Sequence, residues 1–204
     1  MDEFDKIAKS VRSHLDLDGR GFIDTTSLLD GAKAAGLIKD YRGVKDLALP
    51  EDGARWIAEE STIVVRESVQ LGAWEEEPRA RFTIAHELAH AILRHPTRNR
   101  RASGALQHGR SIKQHEDDAD ALAVAILAPM HLVLALNPES AKEIASEFGI
   151  TPWHAEQRFI HMQKLPEYAE QRRALVLARA ELFDSGDYSA AMTQMARNAA
   201  GWNS

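Results

Sequence analysis

The chain has 204 residues, a formal net charge of −6, 44% apolar and 27% charged residues, and no cysteine. That length supports one good core and a small appendage, while the lack of cysteine excludes disulfides and thiolate metal sites. The acidic balance argues against general nucleic-acid affinity. The start, Met1-Asp2-Glu3-Phe4-Asp5, lacks the basic and apolar regions of a signal peptide, and no apolar run reaches the length of a membrane span. A cytoplasmic protein without membrane contact is expected.

Phe4, Ile7, Ala8, Val11 and Leu15 recur at helical spacing and predict an amphipathic helix over residues 3–17. The segment from Asp16 to Ile23 then imitates an EF-hand loop, with Asp16 and Asp18 at positions 1 and 3 and Gly21 at position 6. Arg20 at position 5 and Ser27 at position 12, where a bidentate Glu is required, argue against calcium. A second helix is predicted from Thr26 to Ala35, with Gly36 as its cap. Arg55–Ala58 and Thr62–Val65 read as two short strands joined by a tight acidic turn. Helices follow over about 75–95, 115–128, 138–148, 152–163, 167–183 and 187–199. The fold class is therefore α+β, mostly helical, with a small sheet beside the 75–95 helix. Residues 1–45 form an N-terminal helical segment, 46–163 the main domain, and 164–204 a C-terminal helical extension.

The 75–95 helix carries His86-Glu87-Leu88-Ala89-His90, an H-E-x-x-H pattern in an apolar setting. Residues four apart share a helix face, roughly 6 Å apart along the axis, so the two imidazoles can converge on one Zn²⁺. Glu87 is then placed to act as general base towards water at the metal. A catalytic zinc site needs a third protein ligand. The helix at 115–128 offers one: Glu116 and Asp120 lie four apart on one face, beside the apolar Ala119, Leu122, Ala125 and Ile126. Glu116 is the candidate third ligand and Asp120 the candidate acceptor for the outer N–H of a ligand histidine. His115 and Asp118 compete for the third position, and His108 is a further possibility.

Arg81-Phe82-Thr83-Ile84-Ala85-His86-Glu87-Leu88-Ala89-His90, then Glu116-x-Asp118-Ala119-Asp120 and Ala123-x-x-Ile126-Leu127-Ala128-Pro129, resemble the ImmA/IrrE family of zinc metallopeptidases. The resemblance covers roughly residues 45–160. Asp118, Leu122 and Ala128 stand where that family usually has Glu, Phe and Met; none is a proposed ligand. The resemblance implies a zincin-like domain with His86, His90 and Glu116 on zinc, Glu87 as base and Asp120 behind a histidine. It further implies a site-specific endopeptidase whose protein substrate is a helix-turn-helix repressor of stress-response or mobile-element genes. Zincin-type enzymes hold substrate backbone on an edge strand; Thr62–Val65 is the candidate edge, with plain core packing as the alternative.

Residues 141–163 resemble a helix-turn-helix, with Gly149 in the turn and Pro152 at a helix start. His154, Gln157 and Arg158 make no strong basic cluster, so a packing role is expected and direct nucleic-acid binding is not. The basic run Arg94, His95, Arg98, Arg100 and Arg101 is either solvated or a steering patch. His108, His154, His161 and Tyr168 are candidates to stabilise an oxyanion. The competing functional reading is a zinc-binding regulatory or toxin–antitoxin protein that binds a partner without cutting it.

Overall fold

The structure, a computed structural model, describes residues 2–50, 52–97 and 111–184. The chain divides into two compact units, Met1–Met162 and Gln163–Ser204. In the second, helix α9 spans Pro166–Asp184, close to the expected 167–183; the expected helix over 187–199 lies outside the described residues.

The first unit opens with α1 (Glu3–His14) and α2 (Thr25–Ala34), capped by the side chains of Asp2 and Asp24 on the backbone N–H groups of Asp5 and Ser27. Such caps satisfy donors that the helix itself leaves unpaired. A three-stranded sheet follows, built from β1 (Asp40–Val44), β2 (Ala54–Ile57) and β3 (Thr62–Arg66) in the order β1-β3-β2. β1 runs parallel to β3 with Asp40 opposite Thr62, and β2 runs antiparallel to it with Trp56 opposite Ile63. The expectation of Thr62–Val65 as the edge strand is thus overturned: β3 is central and all four residues are buried. Its β-branched run is what a strand covered on both faces requires. β2 is the edge. β1 escaped the sequence reading because Asp40-Tyr41-Arg42-Gly43-Val44 buries none of its residues.

Helix α3 (Glu67–Trp74) leads into α4 (Pro78–Ile92), which carries the H-E-x-x-H pattern. The helix expected over 75–95 is α4, which starts later and ends earlier, and α3 ahead of it was not anticipated. Glu76 adopts a left-handed φ of 62°, and Glu77 is extended ahead of Pro78 at the first helical position, as the ring of a following proline demands. Next come α5 (Ile112–Leu127), α6 (Met130–Leu136), α7 (Ala141–Phe148) and α8 (Pro152–Gln163). α6 is short, wholly apolar but for His131, and merges by pattern with its neighbour.

α4 packs more extensively on α5 than any other pair of elements. Ala85, Leu88 and Ala89 on α4 and Ala119, Leu122 and Ala123 on α5 are all fully buried. Small side chains at such positions let helix axes approach closely. No single described helix is long and apolar enough to cross a membrane; α5 and α6 pass that test only as a bent pair.

Three buried arginines tie the loops to this core. Arg12 donates to the carbonyls of Ile126 (2.8 Å), Leu17 (3.1 Å) and Arg20. Its guanidinium therefore engages the EF-hand-like segment from inside. Arg81 on α4 donates to Ile23 O (2.7 Å), Phe148 O (3.0 Å) and Gly149 O, with the ring of Phe22 4.0 Å from its guanidinium carbon. Gly149 has φ of 58°, and a Cβ there would run into Arg81 and Phe22. The turn of the helix-turn-helix-like segment is accordingly bolted to the helix that carries His86, and His154 and Arg158 of α8 are buried.

Arg158 donates to Ala128 O at 2.8 Å and to Asp5 Oδ1 at 2.5 Å. Burial alone would raise the Asp5 carboxyl, but Arg158 outweighs it and holds the group below its ordinary value. Removing one partner of a buried pair leaves the other charge uncompensated. Arg158→Ala should cost about 3–5 kcal/mol in chemical denaturation, and a loss under ~1 kcal/mol would show the pair to be unimportant. Because the Asp5 carboxyl is depressed, its stabilisation is present above the ordinary carboxylate range and fades as pH falls through the lowered value.

Candidate metal centre

α4 presents His86 and His90 on one face, one turn apart, and α5 brings Glu116 up to them. The two Nε2 atoms lie 2.9 Å apart, with ring planes at 71°. Glu116 Oε2 is 3.6 Å from His86 Nε2, and its Oε1 is 3.8 Å from His90 Nε2. One ligand atom from each of the three residues falls within 4.8 Å of the others. A tetrahedral ion with bonds of about 2.0–2.1 Å needs ligand atoms ~3.3–3.4 Å apart. The three donors straddle that value, so the cluster fits a zinc-sized ion with two imidazoles and one carboxylate.

The outer nitrogens are also engaged. His86 Nδ1 lies 2.7 Å from Asp120 Oδ1, one helical turn beyond Glu116. His90 Nδ1 lies 2.9 Å from Nδ1 of His95. Each ring thus has a partner on its far side while Nε2 points inward, as metal-binding histidines are usually held. His95 is the residue that sequence reading missed. Its spacing, five after His90, places it beyond any simple helical register, and only the geometry of the helix end brings it back.

Electrostatics point the same way. Burial opposes a charge on His86, yet Asp120 and Glu116 outweigh it and raise the group to about 9. His90 is pushed down to about 3, first by burial and then by the charge on His86. Two imidazoles with their Nε2 atoms turned to each other beside carboxylates therefore favour a single positive charge between them, which a cation can supply in place of a proton.

Glu87 faces the neighbouring cleft. Its Oε2 accepts from the backbone N–H of Trp56 on β2 at 2.6 Å, and burial raises the carboxyl to about 7 against the pull of His86 and that N–H. Because Trp56 N–H turns outward from the sheet, so do the backbone groups of Ala54 two residues before it. The Ala58 N–H donates to Thr97 Oγ1 at 2.7 Å. The cleft runs along this edge, lined among others by Ala54, Trp56, Glu87, His90, His115 and Glu116, and opens to solvent.

The other candidates are placed as follows. His115 is buried and stacks on His95 with ring centroids 4.3 Å apart; neither it nor Asp118 joins the converging ligand atoms. His154 packs on Phe82 at 4.1 Å, one turn before His86, and its Nδ1 sits 2.8 Å from Thr151 Oγ1. His161 belongs to a separate group with Asp2 and Asp5. Tyr168 lies in the second unit, its ring 6.0 Å from the Arg172 guanidinium carbon. His108, Arg98, Arg100 and Arg101 lie outside the described residues.

Comparison with known proteins adds one finding. The family model of peptidase family M78, the IrrE N-terminal-like domain, matches residues 46–159. That interval holds β2, β3, α3 to α7 and most of α8, and every residue of the cluster. No curated protein and no solved structure matches the chain. The match spans more than half of the sequence, and the chain belongs to the IrrE N-terminal-like family of metallopeptidases.

Proposed function

We propose that this protein is a zinc-dependent endopeptidase that cuts an extended segment of another protein. The observation that carries the reading is the convergence of His86, His90 and Glu116 beside a carboxylate, Glu87, that is anchored to an edge strand. The substrate proposed is a helix-turn-helix transcriptional repressor, whose loss would derepress stress-response or mobile-element genes. Its support is the resemblance of two separated motifs to the ImmA/IrrE pattern, together with the family match over 46–159.

His86, His90 and Glu116 would hold the metal, and Asp120 would fix the ring of His86. When bound, zinc supplies Lewis-acid polarisation of the scissile carbonyl and makes water more acidic. Glu87 takes the proton from the attacking water and delivers it to the departing amine. A carboxyl near 7 suits both tasks at neutral pH, because it neither holds nor releases the proton too tightly. Trp56 N–H steadies the Oε2 oxygen and leaves Oε1 to do this work. Substrate enters as extended chain along this edge and pairs with the outward N–H and C=O of Ala54 and the C=O of Trp56, whose N–H stays on Glu87.

Glu87→Gln should retain about one zinc per chain and lose at least 10²-fold in cleavage of a helix-turn-helix repressor that the wild type cuts. Full activity in that variant would remove Glu87 from the mechanism. Glu116→Ala should lose most of its zinc; unchanged stoichiometry would exclude it as a ligand. With the inactive Glu87→Gln protein, adding a peptide that spans the cut site should slow amide exchange in Ala54–Ile57. Protection of Asp40–Val44 instead would place substrate on the other edge. Zinc bound with no cleavage of any partner would favour a non-proteolytic regulator.

A further inference from the structure

We infer that His95 is a positioning residue for the metal, setting the tautomer of His90 and fixing the spacing between the two ligand-bearing helices. The inference rests on the metal reading above.

The geometry begins at the end of α4. Leu93 closes the helix, and Arg94 adopts a left-handed φ of 54°. The N–H of Arg94 then bonds Ala91 O at 3.1 Å, and that of His95 bonds His90 O at 2.9 Å. This pair of bonds is the Schellman termination, which reverses the chain so that the residue after the left-handed position folds back over the last turn. That position usually holds glycine, because a side chain there costs of order 1 kcal/mol. Here Arg94 occupies it, and the reversal lays His95 against His90 in a buried position.

Three contacts then converge on His95. Its Nδ1 faces His90 Nδ1 at 2.9 Å. Its ring stacks on His115, at 25° and 4.3 Å, on the neighbouring helix. Its carbonyl accepts the indole N–H of Trp56 at 3.0 Å. His115 directly precedes Glu116, so His95 bridges the second ligand on α4 to the third on α5, and both to the edge strand.

The tautomer follows from counting protons. A neutral imidazole has one N–H and one lone pair. For His90 Nε2 to offer its lone pair to a metal, the proton must sit on Nδ1, and His95 Nδ1 must accept it. His95 is thereby held as the Nε2–H tautomer. The reverse arrangement, His95 donating from Nδ1, would put the His90 proton on Nε2 and block the site. A histidine here does what carboxylates and carbonyls do behind most metal-bound histidines, without adding a negative charge beside Glu87 and Glu116.

The test is zinc affinity by competition with a chelator in wild type, His95→Ala, His95→Asn and His95→Gln. An Asn carbonyl oxygen can stand near the position of Nδ1, whereas Gln reaches the position of Nε2. His95→Ala and His95→Gln should bind zinc about 10–100-fold more weakly, and His95→Asn should recover most of that loss. Equal affinity in all four, or equal loss in all three variants, would overturn the positioning role. Long-range ¹⁵N–¹H spectra of the zinc-loaded wild type need no variant: they should show Nδ1–H on His90 and Nε2–H on His95. The opposite tautomer of His95 would overturn the inference even if every variant misfolds. A wild type that takes up no zinc would instead refute the metal reading itself, and the His95 role with it.

Discussion

Close contact between α4 and α5 is the constraint on which everything else depends. The ligand cluster has no element of its own: two donors come from one helix and one from the other, and 3.6–3.8 Å between Glu116 and the imidazoles leaves little room for error. Fully buried alanines at 85, 89, 119 and 123 let the helices meet at that distance. Larger side chains there would separate the axes and with them the donors. Packing and chemistry are thus set by the same residues, and the polar face of each helix inherits its position from the apolar one.

The surrounding structure keeps that seam from shifting. Arg12, Arg81 and Arg158 each use a buried guanidinium to bond carbonyls that no helix or strand could satisfy. Burial drives Arg12 and Arg81 down to about 10, which still leaves them charged at neutral pH. Arg81 has a double task, since it lies one turn and a half before His86 and anchors the turn between α7 and α8. The helix-turn-helix-like segment is braced against the metal helix, and of its would-be reading residues His154 and Arg158 are buried while Gln157 is exposed. On the other side, β2 reaches the site through backbone N–H groups and the Trp56 indole, so the same strand that offers an edge to substrate also orients Glu87 and His95.

Much of this was legible in the residues because H-E-x-x-H and Glu116-x-x-x-Asp120 encode local geometry: four residues is one turn, wherever the helix sits. The meeting of the two motifs also had a trace in sequence, since both helices bear alanine-rich faces. What escaped depended on long-range partners or on turn conformation. β1 has a glycine and three polar or charged residues in five and becomes a strand only because β3 offers it a partner. Thr62–Val65 is the candidate edge by analogy with zincin-type enzymes, with core packing as the alternative, and only the sheet order shows it central. Glu76 and Arg94 take left-handed φ without being glycine, so only Pro78 marked the break before α4, and nothing in composition marked the reversal that returns His95.

The central claim is that His86, His90 and Glu116 together bind one zinc ion through Nε2, Nε2 and a carboxylate oxygen. X-ray diffraction from crystals grown with one equivalent of zinc, collected on both sides of the zinc absorption edge, tests it most directly. The account predicts a single anomalous peak about 2.0–2.2 Å from those three atoms, with Asp120 and His95 on the outer nitrogens. A peak held by Nδ1 of either histidine, by His115 in place of Glu116, or no peak between α4 and α5 would contradict it.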